Sequence, residues 1–169
     1  MESRWRVIST NFYNLEEAVV RLLERRGLTL AAAESCTGGL FAKRLTDMPG
    51  ASQVFLGGVV AYSLHAKTAL LGVDTGLIDE KGSVSREVAA AMADGVREKI
   101  KADIGIGITG IAGPDGDGSG LNPGTVFVAL STSRHSLCED LKLQGDRGQI
   151  REASASHAFD MIQRFLNEK

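Results

Sequence analysis

What most constrains this chain is an alternation: short apolar runs of strand length are separated by stretches with helical periodicity. Leu28–Ala33, Val54–Ala61 and Ile104–Thr109 are too short for buried helices and are bounded by glycine, proline or polar turns, so they read as strands. Leu15, Ala18, Val19, Leu22 and Leu23 repeat at helical spacing up to Gly27, with Asn14 and Glu17 as an N-terminal capping box. Leu40, Phe41 and Leu45 start a second helical pattern, closed by Pro49-Gly50. Tyr62–Leu71 reads as a short helix, and Leu77–Glu80 as one further turn. Ser85 caps a helix over Arg86–Lys101 whose face carries Val88, Ala89, Met92, Val96 and Ile100. Thr125–Ser131 and Ser136–Leu143 form a hairpin, turning near Ser133-Arg134. Asp146 and Gln149 cap a last helix with Ile150, Ala153, His157, Met161, Ile162 and Phe165 along its stripe. Alternating elements of this kind predict an α/β fold: a three-layer α/β/α sandwich with a mixed, mostly parallel sheet and a late β-hairpin. A loose arm is expected over 1–13, where Trp5, Phe12 and Tyr13 would pin it to the body or to another subunit, and a single domain over 14–169.

The 169 residues suit one domain. A chain of that length buries roughly 70% of its unfolded surface, enough for a core without disulfides or metals. Lys and Arg total 19 against 21 Asp and Glu, so the net charge is −2 and duplex nucleic acid is not an expected partner. No run of about 20 apolar residues is present, so no membrane span is expected. The first residues, MESRWRVISTNFYN, lack the apolar run of a secretory signal. Cys36 and Cys138 make no CxxC pair, and the expected compartment is the cytoplasm. Glycine is abundant, at 20 residues, and only 9 are aromatic, which favours tight loops around a ligand over stacking platforms for bases.

Ligands of open α/β sheets sit beyond the carboxyl ends of the parallel strands. Glu34-Ser35-Cys36-Thr37-Gly38-Gly39 leaves one such strand and enters a helix, where free N–H groups favour an anion or an oxyanion. Ser35 is a nucleophile in that setting if a base takes its proton; equally, Ser35 or Thr37 is a simple N-cap. His65, His135 and His157 form no triad order with it, and there is no Gly-x-Ser-x-Gly elbow. Lys67 would serve as the base if burial kept it neutral, and is otherwise a solvated helix residue. Thr109–Thr125 contains Gly110, Gly113, Gly116, Gly118, Gly120 and Gly124, and can offer several N–H groups to a phosphate or carboxylate. Gly105-Ile-Gly107-Ile-Thr-Gly110 fits G-x-G-x-x-G, but its first two glycines lie inside the strand and no acid follows about 20 residues on, so a dinucleotide site is rejected. Cys36 reads as buried filler, and Asp115 with Asp117 as a weak cation signal.

The motifs together resemble one family. Ala33-Glu-Ser-Cys-Thr-Gly-Gly39, Tyr62-Ser63 with Lys67, Gly107-Ile-Thr-Gly-Ile-Ala-Gly-Pro-Asp-Gly116 and Pro123-Gly-Thr-Val126 resemble the CinA-type C-terminal domain, and Val84-Ser85 and Gly145-Asp-Arg147 also fit. Characterised members of that family are nicotinamide-nucleotide amidohydrolases, so the resemblance implies deamidation of nicotinamide mononucleotide to nicotinic acid mononucleotide. It implies Ser35 as nucleophile, Lys67 as its base partner, and Thr109 and Tyr62 assisting. Thr37, Gly38, Gly39, Gly110 and Gly113 would serve the substrate through backbone N–H groups, and its phosphate would be held by glycine-loop amides or by Arg147. A Ser–Lys mechanism requires no metal, and no cofactor is expected. The expected partners are a pyridine mononucleotide and, as a homo-oligomer, copies of the chain. Two segments depart from the family pattern: Tyr62-Ser63-Leu64-His65 replaces Tyr-Ser-Asn-Glu, and Asn122-Pro123-Gly124-Thr125 is one residue shorter than usual. Many relatives carry a separate N-terminal domain, and this chain resembles the stand-alone form. The alternatives are a non-catalytic module that binds a phosphorylated metabolite and an assembly domain with a relic pocket.

Overall fold

The computed structural model describes residues 12–168. In chain order the elements are α1 (Phe12–Arg26), β1 (Leu30–Glu34), α2 (Leu40–Thr46), α3 (Ala51–Val54), β2 (Phe55–Val60) and α4 (Leu64–Leu71). They continue with α5 (Thr75–Lys81), α6 (Arg86–Ile100), β3 (Ile104–Gly110), β4 (Thr125–Ser131), β5 (Ser136–Lys142) and α7 (Arg147–Asn167). One sheet of five strands has the order β2-β1-β3-β4-β5. The pairs of β1 with β2 and β3 are parallel, and those of β4 with β3 and β5 are antiparallel. Four strands therefore share one direction, and β4 runs against them.

Helices cover both faces, as strict alternation along β1 requires. Leu30 and Ala32 join the core that holds Val19 and Leu23 of α1, Phe41 of α2 and Phe159 of α7. Ala31 and Ala33 point the other way, into a core with Leu71 of α4, Ile78 of α5 and Met92 of α6. On β3, Ile104, Ile106 and Ile108 face the first layer. The intervening glycines receive α6: a Cβ on Gly105 would lie 2.1 Å from the Ala93 carbonyl oxygen, and one on Gly107 2.2 Å from that of Ala89. Helix backbone thus rests on bare strand backbone. That close approach accounts for the first two glycines of the G-x-G-x-x-G spacing; a Cβ on the third, Gly110, would meet Val126 and Thr125 of β4.

Several expected details change. Helix α1 begins by Phe12, so Asn14 lies within it, not at its cap, because the helical pattern extends upstream of the polar signal. The arm expected over 1–13 lies outside the described residues except Phe12 and Tyr13, which already belong to α1. Val54 closes the short helix α3 before β2 begins. Register jumps from Leu30↔Phe55 to Ala31↔Gly57, the bulge that Gly57-Gly58 signalled. Ser85 and Asp146 cap α6 and α7 as expected, Asp146 within a full capping box with Gln149. The buried face of α7 is rotated from the expected stripe. It includes Ser154, Ala158, Phe159 and Leu166, and Phe159 stacks on Phe41 at 4.3 Å. His157 sits at its edge and bonds Glu139. This helix packs on α1, α2 and β4 together, so small residues are buried where a single-face stripe would not place them.

Candidate functional site

The site lies where β1, β2 and β3 end. Ser35 follows β1 directly and its backbone N–H continues the sheet ladder, donating to the Ile108 carbonyl at 2.9 Å. The side chain of Glu34 then folds back over the start of α2. Its carboxylate accepts from the N–H groups of Gly39 (3.1 Å), Phe41 (3.0 Å) and Ala42 (2.9 Å). The helix N-terminus that composition alone offered to an external anion is therefore filled by the chain's own buried acid.

Beyond the strand ends opens a cavity of about 470 Å³. Ser35 and Cys36 form one wall, Tyr62, Leu64 and Lys67 a second, and the segment from Gly110 through Asp117 a third. Ser83, Val84 and Arg147 complete it. Of the residues singled out from sequence, Ser35, Tyr62, Lys67, Gly110, Gly113 and Arg147 meet here. Thr109 stands directly behind, against Lys67. Thr37, Gly38 and Gly39 do not line the cavity. Gly39 is bonded to Glu34, the Thr37 carbonyl accepts from Arg151 at 2.8 Å, and a Cβ on Gly38 would meet that same guanidinium.

Lys67 is 2% exposed, on the buried face of α4. Its Nζ donates to the Ser83 carbonyl at 2.9 Å and to Thr109 Oγ1 at 3.1 Å. Thr109 Oγ1 passes its own proton to the same Ser83 carbonyl at 3.0 Å, which orients its lone pairs toward the amine. Burial pushes the Lys67 pKa down from 10.5 to about 8, against the opposing pull of Cys36 and Asp117. A neutral amine has two N–H bonds, both satisfied here, and one lone pair left for a proton. Ser35 is 8% exposed, and among the described residues its hydroxyl has no hydrogen-bond partner. Cys36 shares the wall, but burial raises its thiol pKa to about 11, so it holds its proton at neutral pH.

Arg147, the first residue of α7, bridges two walls. It donates to the Gly113 carbonyl at 2.6 Å and to the Tyr62 hydroxyl at 3.0 Å. The neighbouring N–H groups of Ala112 and Gly113 have no acceptor among the described residues, and both residues line the cavity. Among the described residues, no group of three or more His, Cys, Asp and Glu side chains could hold a metal ion, and no helix is long and apolar enough to cross a membrane. Sequence reasoning missed Ser83 and Ala112. Both contribute backbone atoms, which any residue type supplies, so composition holds no signal for them.

The α/β sandwich is also the fold of its relatives. The chain matches the CinA C-terminal domain over residues 12–166. It is 49% identical over 152 residues to a CinA-like protein of Desulfotalea psychrophila, covering 90% of this chain and 37% of that protein. Among solved structures, a competence-damaged protein (CinA) superfamily protein from Klebsiella pneumoniae aligns with a TM-score of 0.90 and 30% identity, over 93% of this chain and 98% of that one. The competence/damage inducible protein CihA from Agrobacterium tumefaciens aligns with a TM-score of 0.87 and 35% identity, over 91% and 94%. The chain belongs to the CinA C-terminal domain family. It spans little more than a third of the length of the curated relatives it matches.

Proposed function

We propose that this domain is an amidohydrolase that converts nicotinamide mononucleotide and water to nicotinic acid mononucleotide and ammonia, with Ser35 and Lys67 as its catalytic pair. One observation carries the reading: the buried Lys67 lines the same cavity as Ser35, its amine bonded to two neutral oxygens and, among the described residues, in no ion pair with a carboxylate.

In this mechanism the neutral Lys67 amine takes the Ser35 proton as Oγ attacks the carboxamide carbon. The carbonyl oxygen becomes an oxyanion, and the uncommitted N–H groups of Ala112 and Gly113 are candidate donors to it. The Lys67 ammonium returns its proton to the amide nitrogen, the C–N bond breaks and ammonia leaves. Water, deprotonated by the same amine, then attacks the acyl ester and frees Ser35. Arg147 and Tyr62 form the rim assigned to the phosphate, since a guanidinium offers paired donors to phosphate oxygens.

The test is ammonia release from nicotinamide mononucleotide, with free nicotinamide as a control lacking the phosphate, in metal-free buffer. Wild-type protein releases ammonia from the mononucleotide, and Ser35→Ala does not. Thermal stabilisation by the mononucleotide without any ammonia would replace this reading with a binding module.

A further inference from the structure

The cavity is lined by two carboxylates that the reaction by itself does not need, Asp115 and Asp117, and of these Asp117 is held in place by a neighbour. Asp117 lines the same cavity as Gly113 and Lys67. Its Oδ1 is pinned by Ser119, which donates both its N–H (3.0 Å) and its hydroxyl. Asp117 and Lys67 form no ion pair among the described residues, yet each feels the charge of the other across the cavity. For a neutral amide this placement is unfavourable on two counts. A nearby carboxylate holds the proton on the lysine that must act as base, and it repels the oxyanion formed during attack. Both penalties are offset when the bound molecule brings a positive charge of its own next to the carboxamide.

We infer that Asp117 is a specificity-determining residue that selects amides borne on a cationic ring, by setting its carboxylate against the ring charge. The inference rests on the amide-hydrolase reading of this cavity and assigns one residue to the choice of substrate. The rim and the loop divide the work: Arg147, at the start of α7, would hold a phosphate, and Asp117, on the loop after β3, would serve as the counter-charge to the ring. A pyridine mononucleotide carries those two charges at its two ends.

The experiment measures binding, so that reactivity differences between amides do not enter. The full chain carrying Ser35→Ala is titrated with nicotinamide mononucleotide and with its dihydro form. That form keeps the carboxamide, ribose and phosphate but has an uncharged ring. Asp117→Asn is then added; asparagine keeps the oxygen that Ser119 holds and removes only the charge. The expected result is a three- to tenfold rise in Kd, on the order expected for one exposed charge at contact distance, for the cationic ligand alone. Equal weakening of both ligands, no weakening of either, or no binding of the cationic ligand to the Ser35→Ala chain overturns the proposal. The two readings fail separately. A wild-type chain that binds through Asp117 in a charge-selective way but releases no ammonia defeats the hydrolase reading and leaves this inference standing. Ammonia release with no Asp117 discrimination does the reverse.

Discussion

A lysine at 2% exposure is unfavourable without an acidic partner; among the described residues Lys67 has no ion pair and is held by two oxygens that carry no charge. That choice of partners sets its chemistry: a carboxylate would lock the ammonium form, whereas a carbonyl and a hydroxyl can also accept from a neutral amine. With a pKa of about 8, roughly a tenth of Lys67 is neutral at pH 7. In the proposed mechanism the ammonium form is inactive, so kcat/KM for ammonia release should rise with pH through a midpoint near 8, and a flat profile between pH 6 and 9 would contradict the assignment. Lys67→Met lowers kcat by about 10³-fold, at the scale expected for loss of a general base, and abolishes the rise. Glu34 plays a different part. It does not itself line the cavity, yet the three N–H bonds that it accepts fix the turn that carries Ser35. Glu34→Gln sets an amide NH₂ against those donors. It should destabilise the fold by about 2 kcal/mol in urea titration, with a fall in kcat while the pH midpoint stays in place.

Among the elements, β3 decides how the second helical layer seats. Its isoleucines fill one core while its glycines admit α6 to backbone contact. Gly107→Ala places a methyl group 2.2 Å from the Ala89 carbonyl oxygen, so strand or helix must move. Overpacking of this kind costs about 1–3 kcal/mol. Because β3 also carries Thr109 at its end, the displacement reaches the lysine through their bond. Chemical denaturation should therefore show lower stability, and turnover should fall beyond what the unfolded fraction explains. The segment after β3 is the counterpart of this rigid strand. It carries Ala112, Gly113 and Asp117 to the cavity, anchored where Ile111 pairs with Thr125 and Gly124.

At the level of the whole molecule, the buried amine links stability to pH. The folded pKa of Lys67, about 8, lies below its ordinary value of 10.5, so between those pH values the unfolded chain binds more protons at this position than the folded one. Stability attributable to Lys67 therefore rises as pH climbs through that window and is lower by about 3 kcal/mol at neutral pH, an upper figure before local relaxation. Urea unfolding of wild type and Lys67→Met should show the variant more stable at pH 7 and the gap closing by pH 10. A gap that widens with pH would mean that the lysine is not desolvated in the folded protein.

The alternation of strand and helix, the caps at Ser85 and Asp146, and the turn carrying Ser35 were all legible in the chain, because each depends on residues within a few positions of one another. The location of the uncommitted N–H groups was not legible. The first N–H groups of α2 are taken by the chain's own Glu34, and among the described residues the N–H groups of Ala112 and Gly113 are without an acceptor. Nor was the state of Lys67 legible, since its partners lie 16 and 42 residues away and one is a backbone carbonyl. The sequence by itself determined which elements form and which side chains are available for chemistry, since period and capping are local properties. Only the tertiary structure decided which amine loses its water and which peptide groups stay unpaired, because desolvation and hydrogen-bond competition depend on what distant segments bring to the same place.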